Sequence, residues 1–153
     1  KDFIKELNSL RGFTNCDKAP RNAVGCFRLP TEAEWEFAAR GGSTAAYFFE
    51  SGDLRDYAWY GANSNGQTHL VGSRLDNPYG LFDMYGNVWE WVEDKYSKHL
   101  TGGKNPLSVT GFGRVIRGGG WSGSARELRS ASRSVRHWWD IYSHVGFRLV
   151  RTL

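Results

Sequence analysis

A chain of 153 residues, 40% of them hydrophobic, is enough for one domain around one core and not comfortably enough for two. Four prolines, 15% aromatic residues and mixed charge argue against disorder, and without a long apolar run no membrane span is expected. The formal charge of +4 is modest but uneven: from Arg114 onward there are eight arginines, no lysine, and only Glu127 and Asp140 as acids. Arginine without lysine favours fixed, planar pairing with carboxylates over a generic phosphate-binding surface, so nucleic acid is not an expected partner.

The opening stretch, KDFIKELNSL, carries Phe3, Ile4, Leu7 and Leu10 at helical spacing and predicts an amphipathic helix ending near Gly12. It has no Met and no signal-like apolar region, so the start is read as a processed end or as the middle of a longer protein. Cys16 and Cys26 then enclose a short polar loop. Their spacing is not that of a structural zinc site, which leaves two alternatives: a disulfide, favouring an exported protein, or two free thiols in a reducing compartment.

In FRLPTEAEWEFAARGG, Thr31 followed by Glu34 forms a capping box, and Gly41-Gly42 ends the turn. A helix is predicted from about Glu32 to Arg40, with Ala33, Trp35, Phe37 and Ala38 as its apolar side. Glu34 and Glu36 suit capping and solvation better than acid–base catalysis. From Ser43 to Ser73 the chain reads as loop anchored by aromatics such as Trp59 and Tyr60. In VWEWV the alternation sets Val88, Glu90 and Val92 on one face and Trp89 and Trp91 on the other. RVIRGGGW and VGFRLV read as strands, and Gly118 to Gly120 mark a bulge or close backbone approach. The result is α+β: two short helices, short antiparallel strands and long ordered loops.

RLPTEAEWEFAARGG, NPYGLFDMYGNVWEWVED and RVIRGGGW…RSASR…VGFRLV lie in order between Phe27 and Arg151. Together they resemble the sulfatase-modifying-factor family, whose founding members are formylglycine-generating enzymes. The resemblance implies a single C-type-lectin-like domain over residues 1–153. The family domain is usually longer at its N-terminus, so the chain is read as a fragment or a reduced version. Formylglycine-generating enzymes carry a copper-binding cysteine pair after the GGSW motif. Here that segment offers Ser122, Gly123, Ser124 and Leu128, which can neither bind copper(I) nor pass through thiol chemistry. No copper and no oxidase activity are expected. A second branch, the ergothioneine-type sulfoxide synthases, takes iron-binding histidines largely from another domain. His69, His99, His137 and His144 are scattered and read as surface histidines. No nucleophile elbow, P-loop or zinc-protease motif is present.

Many members bind calcium in the segment equivalent to DMYGNVWE. Transferred by motif, Asp83 and Glu90 would give carboxylates and Gly86 and Val88 carbonyls, completing an oxygen cage for a structural ion. The alternative is that Asp83 caps a turn while Glu90 pairs with an arginine.

The framework Arg117-Gly118-Gly119, Trp121, Ala125-Arg126, Arg129-Ser130-Ala131, Arg133 and Val145–Val150 resembles a third branch, the variable proteins of diversity-generating retroelements. That resemblance implies a fixed scaffold with a changeable binding surface over residues 114–151. The changeable positions would be Gly120, Ser122, Gly123, Glu127, Ser132, Ser134, Arg136, Trp139, Asp140, Tyr142, Ser143 and His144, with His137 and Trp138 among them. Adenine changes in an AAC codon cannot yield tryptophan or glutamate, so Trp138, Trp139 and Glu127 would need other template codons. Trp138, Trp139 and Tyr142 are the expected anchors of a non-enzymatic site for a protein or glycan ligand on another cell or host. The alternative places both tryptophans in the core. An extracellular or cell-surface location follows from the same resemblance. The rival functions are a divergent oxidase or accessory protein, and a plain structural module.

Overall fold

The computed structural model describes every residue except 1, 14, 17–19, 21, 22, 101 and 140. Its elements in chain order are α1 (Asp2–Leu10), β1 (Phe27–Arg28), α2 (Glu32–Arg40), α3 (Leu54–Tyr57), β2 (Trp89–Tyr96) and β3 (Phe112–Arg117). A 3₁₀ turn (Ala125–Leu128), β4 (Arg133–Arg136), β5 (Val145–Phe147) and β6 (Val150–Arg151) complete it.

Helix α2 forms where its capping signals place it. The Thr31 side chain accepts from the Glu34 amide, the Glu34 carboxylate accepts from the Thr31 amide, and Gly41 closes the helix in the left-handed conformation. Its inner face buries Trp35 and Ala39, which join Ala58, Met84, Tyr85, Val92, Val115 and Leu128 in the core. Phe37, expected on the apolar side, instead points outward and leans on Tyr79 at 5.7 Å between ring centres. Trp35 Nε1 donates to Glu90 at 2.7 Å, so one side chain fills the core and satisfies a buried acid.

The main sheet has the order β4-β3-β2-β5. β2 and β3 pair antiparallel, as do β3 and β4, but β5 lies parallel to β2, which departs from the all-antiparallel expectation. The reason is the long path from β3 through β4 and residues 137–144, which delivers the chain to the far edge of β2. A separate two-stranded ribbon pairs β6 with β1. Next to it Cys16 and Cys26 form a disulfide, which decides between the two readings of the cysteine loop.

The long loop after α2 is anchored by aromatics, as expected, though more densely. Tyr47, Phe48 and Phe49 pack around Tyr85 and Tyr57, while Trp59 stacks on His69 at 3.7 Å with the Arg74 guanidinium on its ring. His69 is therefore a packed residue, not a plain surface histidine. At Gly118–Gly120 the backbone passes close to its neighbours. A Cβ on Gly119 would lie 2.6 Å from Leu128, and its φ of +78° also excludes most side chains.

Candidate functional site

Three arginines, making four ion pairs with glutamates, tie the C-terminal segment to the rest of the fold. Arg117, wholly buried at the end of β3, donates to Glu32 at 3.0 Å and Glu36 at 2.5 Å. Burial pulls the pKa of its guanidinium below the ordinary arginine range, against the upward pull of both glutamates. Arg133, at the start of β4, grips Glu32 through Nε at 2.5 Å and Nη2 at 2.7 Å, and donates to the Ser97 carbonyl. Burial alone would lower its pKa, but Glu32 outweighs this and raises it. Arg148, just after β5, makes the same forked contact with Glu90, at 2.5 and 2.8 Å. The carboxylate partners expected for the arginine-rich end are thus Glu32 and Glu36 of α2 and Glu90 of β2.

Between the Arg133 and Arg148 clamps the chain comes to the surface. Trp138 is 68% exposed, Trp139 61% and Ile141 fully exposed, which overturns the alternative of buried tryptophans. His137 stacks on Trp139 at 4.7 Å, and Trp138 meets Trp139 edge-on at 5.4 Å. Tyr142 packs against His144 at 5.5 Å, and the Arg136 guanidinium lies over Tyr142 at 5.4 Å. Ser143 is exposed. The segment's far end is fixed by the His144 carbonyl, which accepts from the Trp89 amide at 2.9 Å. The structure therefore gathers Arg136, His137, Trp138, Trp139, Tyr142, Ser143 and His144 in one stretch. Asp140 lies outside the described residues.

The earlier positions divide. Ser122 is exposed, while Ser132 and Ser134 are half-buried. Gly120 is buried, and a Cβ there would meet the Trp89 ring at 3.1 Å, so it presents no surface. A Cβ on Gly123 would come within 3.1 Å of the Gly120 carbonyl. Glu127 turns back to the Ser124 amide and hydroxyl at 2.7 and 3.0 Å, a capping contact for the 3₁₀ turn. These three residues serve local backbone structure.

At the expected calcium segment, Asp83 Oδ2 accepts from the Gly72 amide at 2.7 Å, while its Oδ1 is buried without a partner. The Arg148 guanidinium, already on Glu90, also reaches the Phe82 and Asp83 carbonyls at 3.0 and 3.2 Å. Glu90 pairing with an arginine is therefore observed. The orphaned Asp83 oxygen still fits a hard cation, because a buried carboxylate oxygen without a donor is costly. Among the described residues no three His, Cys, Asp or Glu side chains gather as a metal cluster.

A 410 Å³ cavity opens beside the aromatic stretch, lined by Phe112, Val135, Arg136, His137 and Tyr142. Phe112 escapes a sequence reading because it precedes the arginine-rich block. The one available signal is its position between two glycines in TGFGR.

Residues 7–153 match the model of the sulfatase-modifying factor enzyme 1-like domain. Among curated relatives, the chain is 39% identical over 133 residues to the serine/threonine-protein kinase pkn1 of Chlamydia pneumoniae, covering 82% of this chain and 21% of that one. It is 33% identical over 150 residues to the formylglycine-generating enzyme of Mycobacterium tuberculosis, covering 80% of this chain and 50% of the enzyme. The chain thus spans between a fifth and a half of these two relatives. Among solved structures, Treponema denticola variable protein 1 superposes with a TM-score of 0.80 at 34% identity, over 96% of this chain and 66% of that one. No helix among the described residues is long and apolar enough to cross a membrane.

Proposed function

Because the chain belongs to the sulfatase-modifying factor enzyme 1-like domain family, we propose that it uses that fold without the oxidase chemistry, as a ligand-binding domain with a changeable surface at residues 136–144. The carrying observation is the exposed aromatic stretch from His137 to His144, held at both ends by Arg–Glu clamps. Two large tryptophans left in water cost hydrophobic free energy that a bound partner recovers, about 1.5–3 kcal/mol for each large side chain. Rigid aromatics are also efficient contacts, since two side-chain torsions order a large area.

The similarity to a variable protein supports this reading, and the cysteines support it from the other side. The chain's two cysteines are joined to each other near the N-terminus, while the segment after Trp121 offers serine, glycine and leucine. A disulfide also suits an oxidising compartment, so the domain works outside the cytoplasm or on a cell surface. Its partner is a macromolecule of another cell or host. A structural calcium ion held by Asp83, Glu90 and the Gly86 and Val88 carbonyls would satisfy the orphaned carboxylate oxygen and brace the turn before β2.

The test is genomic. A near-copy of the DNA encoding Arg114 to Arg148, differing mainly at adenines, is expected beside the gene, together with a reverse-transcriptase gene. Absence of both from the complete locus would remove the diversification part of the proposal. Copper binding with turnover of a sulfatase-derived cysteine peptide would restore the oxidase.

A further inference from the structure

The cavity beside the aromatic stretch has one wall that does not belong to residues 114–151. Phe112 opens β3 and is 63% exposed, an unusual place for a phenylalanine on a sheet. Its backbone is fixed by the two glycines that flank it. Gly111 has a φ of +133°, and a Cβ there would lie 2.0 Å from the Tyr96 carbonyl oxygen. Gly113 has a φ of +62°, and a Cβ there would lie 2.7 Å from Val135 and 2.8 Å from the Arg136 carbonyl oxygen. Only glycine fits either position, so the chain makes a tight bulge whose single side chain is Phe112. The register with β2 shifts at this point, between Lys95 and Tyr96. The Phe112 ring leans on Tyr96 at 5.4 Å, which orients it without covering it.

Across the cavity stands Arg136. Arg117, Arg133 and Arg148 each hold a glutamate, whereas Arg136 has no carboxylate partner among the described residues. Its Nη1 donates to the Val135 carbonyl at 2.8 Å and its guanidinium lies over Tyr142. An arginine stacked on an aromatic ring, with forked donors left over, is set for a planar anion. His137 adds a ring nitrogen to the same lining, and Trp138, Trp139 and Ile141, exposed and close in sequence, offer apolar surface further along the chain. A fully exposed isoleucine beside stacked aromatics suits a protein surface, since its aliphatic body offers a sugar no hydrogen bond.

We propose that this cavity receives an acidic side chain of a protein ligand: its carboxylate on Arg136, its neighbouring apolar residue between Phe112 and Tyr142. Phe112 is then a fixed specificity residue, shared by every version of the surface, while Arg136 and Tyr142 supply the changeable half. This inference rests on the binding-surface reading and adds the ligand's chemistry to it.

Random linear peptides displayed on phage and selected on the immobilised protein test it. The selected pool is expected to carry Asp or Glu next to an aromatic or aliphatic residue. For individual selected peptides, Arg136→Gln and Phe112→Ala should each weaken binding on the order of tenfold. Both variants should stay close to the wild-type melting temperature, because Phe112 is exposed and Arg136, though half-buried, holds no carboxylate among the described residues. Peptides without an acid, or peptides bound equally by R136Q, would overturn the acidic-ligand proposal while leaving the surface reading intact. Peptides that bind R136Q weakly but F112A at full strength would overturn the fixed role of Phe112. A pool no richer than that from a Trp138→Ala/Trp139→Ala control would overturn both the proposal and the surface reading beneath it.

Discussion

Replacing Glu32 with glutamine should destabilise the fold far more than any change in the aromatic stretch. Glu32 is only 9% exposed at its side chain and holds two arginines at once, Arg117 at 3.0 Å and Arg133 at 2.5 Å. Glutamine keeps the shape and one acceptor but removes the charge. Arg117 would retain the Glu36 carboxylate and the Ser130 carbonyl, whereas Arg133 would keep the Ser97 carbonyl and the Tyr96 ring but no carboxylate among the described residues. Removing one partner of a buried pair costs about 3–5 kcal/mol, and the remaining contacts place this case near the low end, at about 3 kcal/mol. For a domain of this size each kcal/mol lowers Tm by about 2–4 °C, so a fall of about 6–12 °C is expected by calorimetry. A double-mutant cycle with Arg133→Met checks the mechanism: coupling of about 1 kcal/mol or more is expected between the two sites. A fall of under about 2 °C, or additive effects of the two changes, would refute the clamp as the anchor of β4.

In contrast, Trp138→Ala and Trp139→Ala should each change stability by less than about 0.5 kcal/mol, because neither ring is buried. A clear loss of Tm would place them in the scaffold. Glu34 provides a pH signature. Burial pushes its carboxyl up, but the Arg28 guanidinium and the Thr31 amide pull it down further, from 4.5 to about 2. A depressed folded-state pKa adds stability that is complete above about pH 4.5 and lost as pH falls through about 2. Glu34→Gln should lower Tm at neutral pH and flatten its fall across that acid window; an unchanged acid slope would contradict the pairing. For calcium, saturation at about a hundred times Kd would add about 2.7 kcal/mol. Tm should therefore rise by about 5–10 °C on adding calcium, and Asp83→Ala should remove the rise. No response in the parent protein would leave Arg148 as the only cation that the segment holds.

Local signals made much of this molecule readable. Helix α2 could be placed to the residue because its capping box and terminal glycines act within one turn. The aromatic surface was readable because residues 137–144 lack any period that would bury them. What escaped was long-range. The parallel seating of β5 on β2 depends on where the intervening chain is fastened, which no local pattern encodes. Glu32 carries no local sign of its role, because its partners Arg117 and Arg133 lie 85 and 101 residues away. Phe37 occupied a helical apolar position yet faces Tyr79 at the surface, since tertiary packing decides which flank of a short helix is covered. Phe112 was invisible for a different reason: two glycines in sequence do not reveal which way the residue between them points.

On this reading the scaffold tolerates change in the exposed stretch, whereas the clamps do not. A display library randomised at Arg136, His137, Trp138, Trp139, Tyr142, Ser143 and His144, scored for resistance to protease, tests that directly, beside a second library randomised at Glu32, Glu90, Arg117, Arg133 and Arg148. Most members of the first library should stay folded, and selection on unrelated proteins should return binders from it, while most members of the second should be cleaved. Equal loss of folding in the two libraries would contradict it.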